Sequence, residues 1–175
     1  MTFEEMIGGK DTQYIKCKEV EQSPDGKTYA VVYNDDGMFY LRHFGKETRS
    51  KEDIEKTEVD INRMLQINNF TMCNQSFPDP FITCTFLDST KIFVNLYHNF
   101  DRKHFHFVFD TNVRKPAGLA SFVMDSNLKN FPYKCFHNPD LNEIYSFYRQ
   151  GQAIIVNGGN TEQYTVQRMT EFDLG

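Results

Sequence analysis

The sequence contains no tryptophan, and several patterns that mark known protein classes are also missing. Basic residues are not in excess, since 19 Lys and Arg stand against 24 Asp and Glu and give a net charge of −5. Nucleic-acid binding needs clustered positive charge that neutralises phosphates, so we expect no nucleic-acid partner. No stretch approaches the roughly 20 consecutive apolar residues of a membrane-spanning helix, so we expect no membrane insertion.

The first residues, MTFEEMIGGKD, lack the basic start and apolar run of a secretory signal. We therefore predict a cytoplasmic protein, with a cytoskeletal or organellar assembly as further options, and a flexible N-terminus over residues 1–11. None of the four cysteines, Cys17, Cys73, Cys84 and Cys135, belongs to a C-x-x-C pair. Because three of them lie in strand-like runs, we expect reduced, partly buried thiols.

Aromatic residues compensate for a modest hydrophobic content of 39%, since the chain has 17 Phe and 9 Tyr. Each buried aromatic side chain removes about 150–250 Å² from water, so a few of them can sustain a core. The composition is rich in Phe and Asn and poor in Ala, which is protist-like and typical of an AT-rich genome.

Residues 81–110 carry the clearest strand pattern. The stretches FITCTFL, KIFVNLYH and KHFHFVFD indicate three antiparallel strands joined by short loops at 88–90 and 99–102. Counting from these loops places nine apolar residues on one face, in the rows Phe86–Ile92–Phe109, Cys84–Val94–Phe107 and Ile82–Leu96–Phe105. A slip by one residue would put polar residues on this face, so the register is well specified. On the other face Lys91 lies opposite Asp110, as a cross-strand charge pair.

His104 and His106 are the candidate metal ligands of this region, and they share the second face, opposite Tyr97 and Asn95. A His-x-His pair can chelate zinc, but structural and catalytic zinc sites use at least three protein ligands. His98 has the wrong parity for this face. We therefore expect no metal and no cofactor, and we interpret the two histidines as polar residues of a half-exposed sheet face.

The rest of the chain brings the number of strand candidates to about twelve. Residues 12–46 predict three strands, with a tight hairpin at Asp36-Gly37 that places Tyr33 opposite Tyr40. Residues 47–66 interrupt the alternation of apolar and polar residues, which indicates a helical insertion. We predict a short helix at about 50–57 that begins near Ser50 and leads into an extended segment.

Hairpins centred near Gly37, Ser89 and Asp140 recur at a spacing of roughly 50 residues, which is typical of β-propeller blades. The stretch SPDGKTYAVVYNDDG resembles the turn and hairpin of WD40-like blades, although the Trp-Asp dipeptide and Gly-His pair of that family are absent. We predict one antiparallel all-β domain over 1–175, built from about three four-stranded, blade-like units with one short helix. The alternative is a single β-sandwich or barrel.

Motifs of catalysis are missing as well, since there is no G-x-S-x-G and no Walker loop. Three blades do not close a propeller, so we expect the outer faces of the terminal units to meet other protein subunits. Phe93, Tyr97, Phe100 and Tyr145 are candidate anchors of such contacts. We therefore predict a non-enzymatic structural or adaptor subunit of a larger assembly; the alternative is a small-ligand-binding β-barrel, or an enzyme whose pocket the sequence does not reveal.

Overall fold

The computed structural model describes residues 1–67, 81–98, 103–123, 132–141, 143–148, 152–160 and 163–171. The strands are β1 (Ile15–Gln22), β2 (Thr28–Asp35), β3 (Met38–Gly45), β4 (Val59–Asp60), β5 (Phe81–Asp88), β6 (Lys91–His98), β7 (Lys103–Asp110), β8 (Lys115–Val123), β9 (Pro132–Asn138), β10 (Glu143–Tyr148), β11 (Gln152–Asn160) and β12 (Gln163–Glu171). The helices are α1 (Phe3–Met6), α2 (Lys51–Glu55) and α3 (Ile61–Ile67). None of the described helices is long and apolar enough to cross a membrane.

The described strands form three antiparallel sheets of four strands each, which we call sheet A (β1–β4), sheet B (β5–β8) and sheet C (β9–β12). Within each sheet the strands are neighbours in chain order. The first strands lie side by side, β1 against β5 and β5 against β9, as blades around a common axis require. This confirms the prediction of three four-stranded, blade-like units and rules out the single sandwich or barrel.

The hairpin at Asp36-Gly37 is confirmed, with Tyr33 opposite Tyr40, but it is not equivalent to the other two hairpins of the predicted repeat. The turns at Ser89 and Asp140 join the first two strands of sheets B and C, whereas Gly37 follows Asp36 between β2 and β3. Asp36 and Gly37 have φ values of 52° and 86°, as a two-residue hairpin turn requires. The turn of sheet A equivalent to the other two contains Gly26, between β1 and β2.

The register of the central meander is confirmed. The pairs Ile82–Leu96, Cys84–Val94 and Phe86–Ile92 join β5 to β6, and the pairs Ile92–Phe109, Val94–Phe107, Leu96–Phe105 and Lys91–Asp110 join β6 to β7. The first loop differs from the prediction, because a bulge lets Asp88 pair with Lys91 and shortens the loop to two residues. The Asp88 carboxylate accepts hydrogen bonds from the backbone N–H groups of Thr90 and Lys91, at 2.8 and 2.9 Å.

The main core lies between sheets A and B. Its buried members are Ala30, Val32, Phe39, Leu41, Ile61, Met64, Ile82, Cys84, Phe86, Ile92, Val94, Leu96, Phe107 and Phe109. The second face of sheet B is also covered, since Thr83, Phe93, Asn95 and Val108 are buried. The strands β5 and β6 contact β9 of sheet C, so neighbouring units cover sheet B on both sides, whereas the sequence led us to expect a half-exposed second face.

The helical segments differ from the sequence-based expectation. Residues 1–11 include α1, which Thr2 caps with a complete capping box and in which Met6 is buried, and their flexibility stays a prediction. Helix α2 begins after Ser50, as predicted. The extended segment is only β4, and α3 follows at once because Asp60 accepts a hydrogen bond from the backbone N–H of Arg63, at 3.0 Å.

Candidate interaction surfaces

The outer face of sheet A, which points away from sheet B, is covered by the chain itself. Met6 and Ile7, at the end of α1, pack with Val31, Tyr33 and Phe44 of this face. This corrects the expectation that the outer faces of both terminal units meet another protein. For most of sheet A, the partner is its own N-terminal segment and the insertion that follows β3.

A close approach brings the two covering segments together. Gly8 has a φ of 73°, and a Cβ built on it would lie 2.7 Å from the Cγ of Glu55 in α2. A side chain at position 8 would require the exposed Glu55 side chain to move, and the positive φ by itself favours glycine at this position.

Between these segments lies a buried arginine, Arg42, whose side chain is only 2% exposed. Its Nε donates to the hydroxyl of Tyr33 at 3.0 Å, its Nη1 donates to the carbonyl of Ile54 at 2.8 Å, and its Nη2 lies 2.7 Å from Oε2 of Glu58. Burial is the main cause that raises the pKa of the Tyr33 hydroxyl, while Arg42 opposes the shift. Three separate acceptors offset the cost of removing this cation from water.

Strand β1 is the part of sheet A that the helices leave exposed. Its outward row consists of Lys16, Lys18, Val20 and Gln22, all exposed. Val20 is 39% exposed, and the ammonium of Lys18 lies 4.4 Å from the ring centre of Phe3. The outer side of this strand is therefore a cationic surface with one apolar residue.

The other row of β1 ties sheet A to sheet B. The hydroxyl of Thr83 in β5 donates to Oε2 of Glu19 in β1, at 2.7 Å. Burial raises the pKa of the nearby Cys17 thiol to about 11. Cys84 and Cys135 are buried as well, which agrees with the expectation of buried thiols in strands. A thiol with so high a pKa is a poor nucleophile, so Cys17 has a structural place.

A groove of about 580 Å³ lies where α3 and β4 of sheet A meet the turn between β7 and β8 of sheet B. Its lining residues are Tyr40, Glu58, Val59, Asp60, Arg63, Met64, Ile67, Arg114 and Lys115. Its volume is in the range of sites that bind small molecules or peptide segments. Sequence reasoning missed this groove, since its walls come from residues about 50 positions apart.

Arg114 forms part of the groove in an unusual backbone conformation, with a φ of 54°. Its Nη2 donates to the carbonyl of Thr57 at 3.0 Å, and its guanidinium lies 5.8 Å from the ring centre of Phe109. The side chain therefore links the β7–β8 turn of sheet B to the segment between α2 and β4. The signal that could have found it in the sequence is the basic pair Arg114-Lys115 before Pro116.

The four predicted partner anchors fall in different environments. Phe93 is fully buried in sheet B, so it belongs to the core and offers no surface to a partner. The side chain of Tyr97 and all of Phe100 lie outside the described residues. Tyr145 is half-buried in sheet C, where its register partner is Phe136, which is 51% exposed. Of the four, only Tyr145 stays a described candidate, and Phe136 joins it.

The histidines considered as metal ligands hold their predicted places in the register, with His106 opposite Asn95 and His104 opposite Tyr97. Their side chains lie outside the described residues, so the expectation that they bind no metal stays a prediction. Within the described part of the chain, no three His, Cys, Asp or Glu side chains form a cluster that could hold a metal ion.

No family model and no curated protein sequence matches this chain. Several solved structures have a similar fold. A chain from the Mitotic Checkpoint Complex matches with a TM-score of 0.51 and 11% identity, over 89% of this chain and 40% of that one. The Dos1 propeller matches with a TM-score of 0.50 and 8% identity, over 91% of this chain and 35% of that one.

A candidate 6-phosphogluconolactonase from Bacteroides uniformis matches with a TM-score of 0.51 and 12% identity, over 92% of this chain and 42% of that one. These identities are low, so the likenesses establish the fold alone. The chain is a set of β-propeller-like blades. It spans about two fifths of the length of each structure named here.

Proposed function

We propose that this chain is a non-enzymatic structural or adaptor subunit that makes protein–protein contacts within a larger, cytoplasmic assembly. The observation that carries the proposal is that the described residues form three blade-like sheets in a row, with exposed apolar side chains in the first and the last of them, Val20 and Phe136. We place the contacts with other proteins at these exposed surfaces.

The first and the last sheet offer different surfaces to other proteins. At sheet A, the covering helices leave only the outward row of β1, which carries Lys16, Lys18 and Val20. At sheet C, Phe136 is half-exposed on the face that also carries Tyr145. A large aromatic side chain at half exposure is a common anchor of protein interfaces, so sheet C is the better candidate for the main contact.

The same fold also occurs in a candidate 6-phosphogluconolactonase, but that likeness reaches only 12% identity and concerns the fold. We therefore propose no reaction for this chain. The net charge of −5 favours protein partners over nucleic acid.

The experiment that tests the proposal is quantitative affinity purification of the tagged chain, followed by mass determination of the intact complexes. We expect a stoichiometric partner in complexes of defined mass. Replacing Phe136 by Lys should remove this partner, because a charge would be buried in the interface. The matched control is Val113→Lys, since Val113 is 61% exposed in the β7–β8 turn of sheet B.

A chain that purifies as a compact monomer with no stoichiometric partner would overturn the proposal. Equal loss of the partner in the Phe136→Lys and Val113→Lys variants would show that sheet C is not the contact. Circular dichroism and thermal melting of both variants confirm that a lost partner does not reflect a lost fold.

A further inference from the structure

We propose that the groove between sheets A and B binds an acidic peptide segment with apolar side chains, which a partner protein supplies. This inference rests on the proposed function, because it assigns a chemistry to one of the partners. It concerns a surface separate from the exposed row of β1 and from Phe136, so it can be tested independently.

The first argument is that the acidic residues of the groove already have partners. Glu58 accepts from the buried Arg42 at 2.7 Å. Asp60 accepts from the backbone N–H of Arg63 at 3.0 Å, at the start of α3. The charge of Glu58 is therefore compensated by Arg42, whereas Asp60 satisfies a backbone N–H at the start of α3 and has no ion-pair partner among the described residues.

The second argument is that the cations of the groove have no such compensation. Among the described residues, no carboxylate lies within ion-pair distance of Arg63, Arg114 or Lys115. Arg63 and Lys115 are exposed, and Arg114 makes its described hydrogen bond to a neutral carbonyl. The groove therefore has three cations and one carboxylate, Asp60, without an ion-pair partner among the described residues, which leaves an excess of positive charge in a chain whose net charge is −5. Charge complementarity thus favours an acidic ligand.

The third argument is that the groove is also apolar. Val59, Met64 and Ile67 line it, and Ile67 is 68% exposed, the largest exposure among the large hydrophobic residues described. Burying this side chain against a ligand would remove apolar surface from water, at about 25 cal/mol per Å². A small inorganic anion could not cover it, whereas a peptide with apolar side chains can.

The placement of the cations favours an extended ligand over a single anionic group. Arg63 belongs to α3 of sheet A, whereas Arg114 and Lys115 belong to the β7–β8 turn and the start of β8 in sheet B. The strand β4, which also lines the groove, is the last strand in the order of sheet A. Since β4 has only two residues, we expect an extended peptide to cross the groove rather than extend sheet A, and so to present carboxylates to both walls.

The test is a fluorescence-anisotropy titration of the full chain with three labelled peptides of equal length. In the first peptide Glu and Leu alternate, in the second Lys and Leu alternate, and in the third Glu and Ser alternate. We expect binding of the Glu–Leu peptide that weakens as salt increases, much weaker binding of the Glu–Ser peptide and none of the Lys–Leu peptide.

Variants then locate the binding. Arg63→Glu and Lys115→Glu should each weaken binding of the Glu–Leu peptide by about fivefold or more. Ile67→Ser should also weaken binding, because it removes an apolar contact with the leucine side chains of the peptide. The matched control is Lys27→Glu, which makes the same charge change at an exposed lysine of the β1–β2 turn, away from the groove. This control should keep the affinity of the unaltered chain within about twofold, apart from a weak long-range charge effect.

Failure of this inference can be told apart from failure of the proposed function. Absence of Glu–Leu binding, equal binding of the Lys–Leu peptide, or equal effects of Arg63→Glu and Lys27→Glu would overturn the groove assignment. If the partner complex of the tagged chain persists in that case, the proposed function stands without it. If the chain binds the Glu–Leu peptide through the groove but purifies as a partnerless monomer, the adaptor role fails and the groove assignment stands.

Discussion

The two faces of sheet A are both buried, but by different kinds of neighbour. The face toward sheet B meets another sheet across a large apolar cluster, with the hydrogen bond from Thr83 to Glu19 beside it. The opposite face meets α1 and α2, and at its centre is the charged side chain of Arg42, bound to Tyr33, Ile54 and Glu58.

The difference shows how a repeated unit and its cap are stabilised. Packing of one sheet on the next repeats along the molecule, and strands with alternating apolar residues are sufficient to produce it. Two short helices do not present a continuous face to a sheet. The long side chain of Arg42 fills the space between them and satisfies polar groups that would otherwise lose water.

The largest expected effect comes from placing a charge between the two sheets. Phe107 is fully buried there, so Phe107→Asp should lower the free energy of unfolding by about 4 kcal/mol or more, since it buries an unpaired carboxylate. Urea unfolding followed by circular dichroism measures this loss. The control Val113→Asp, at an exposed position, should stay within about 0.5 kcal/mol of the unaltered protein. Similar losses in both variants would contradict the placement of Phe107 in the core between the two sheets.

A smaller loss of stability is expected on the face of sheet A that α1 and α2 cover. Arg42→Ala should cost about 3 kcal/mol, because it removes three hydrogen bonds and the packing of the side chain. Arg42→Met keeps much of the apolar stem and should cost less. The exposed Arg63→Ala serves as the control, with an effect of about 0.5 kcal/mol or less in the same urea titration. Equal losses of stability in Arg42→Ala and Arg63→Ala would show that the packing of α1 and α2 on sheet A does not depend on the buried cation.

Loss of the helix cap at Thr2 should have a still smaller effect. Its hydroxyl accepts from the backbone N–H of Glu5 at 3.2 Å, within a capping box. Thr2→Ala should cost about 1 kcal/mol, whereas Thr2→Ser should cost little. Thermal unfolding of the two variants measures the difference. Equal melting temperatures would show that α1 covers sheet A without help from its cap.

The weakest expected effect is a pH dependence of the packing between sheets A and B. Burial, and next the positive charge of Arg114, lower the pKa of His43 below the ordinary value of 6.5. The unfolded chain therefore takes up this proton more readily, so the contribution of His43 is present above about pH 6.5 and is lost as pH falls through the lowered pKa.

The matched variant for this effect is His43→Gln, which can keep a hydrogen bond to the hydroxyl of Thr28, 3.1 Å from Nε2 in the protein. Urea midpoints at pH 7.5 and 5.5 measure the pH dependence. The unaltered protein should lose more stability on acidification than the variant does, and equal losses would contradict the assigned pKa shift.

Much of the fold could be predicted because it follows from short-range patterns. Alternation of apolar residues over 81–110 determined the register, since any other register exposes the Phe107 row. Asp36-Gly37 determined a tight hairpin because both positions need a left-handed backbone. The number of strands and their grouping into three units followed from turn signals and spacing alone.

The tertiary structure decided what depends on distant contacts. Helix α3 could not be told from a strand, because Ile61 and Met64 fit a helical face only once sheets A and B provide a core for them. Residues 1–11 contain few apolar residues, so the sequence does not indicate that α1 packs on a sheet. The structure shows that α1 is stabilised by contacts with Val31 and Tyr33 on the outer face of sheet A.

The candidate site follows the same division. The sequence by itself determined the blades, because strand alternation and turn geometry act within a few residues. The groove arises only when Arg63 and Arg114, 51 positions apart, are brought to one place by the packing of two sheets. No local sequence pattern predicts that these two arginines lie close together. The packing of the two sheets is stabilised by the apolar core beneath the groove and not by the cations that line it.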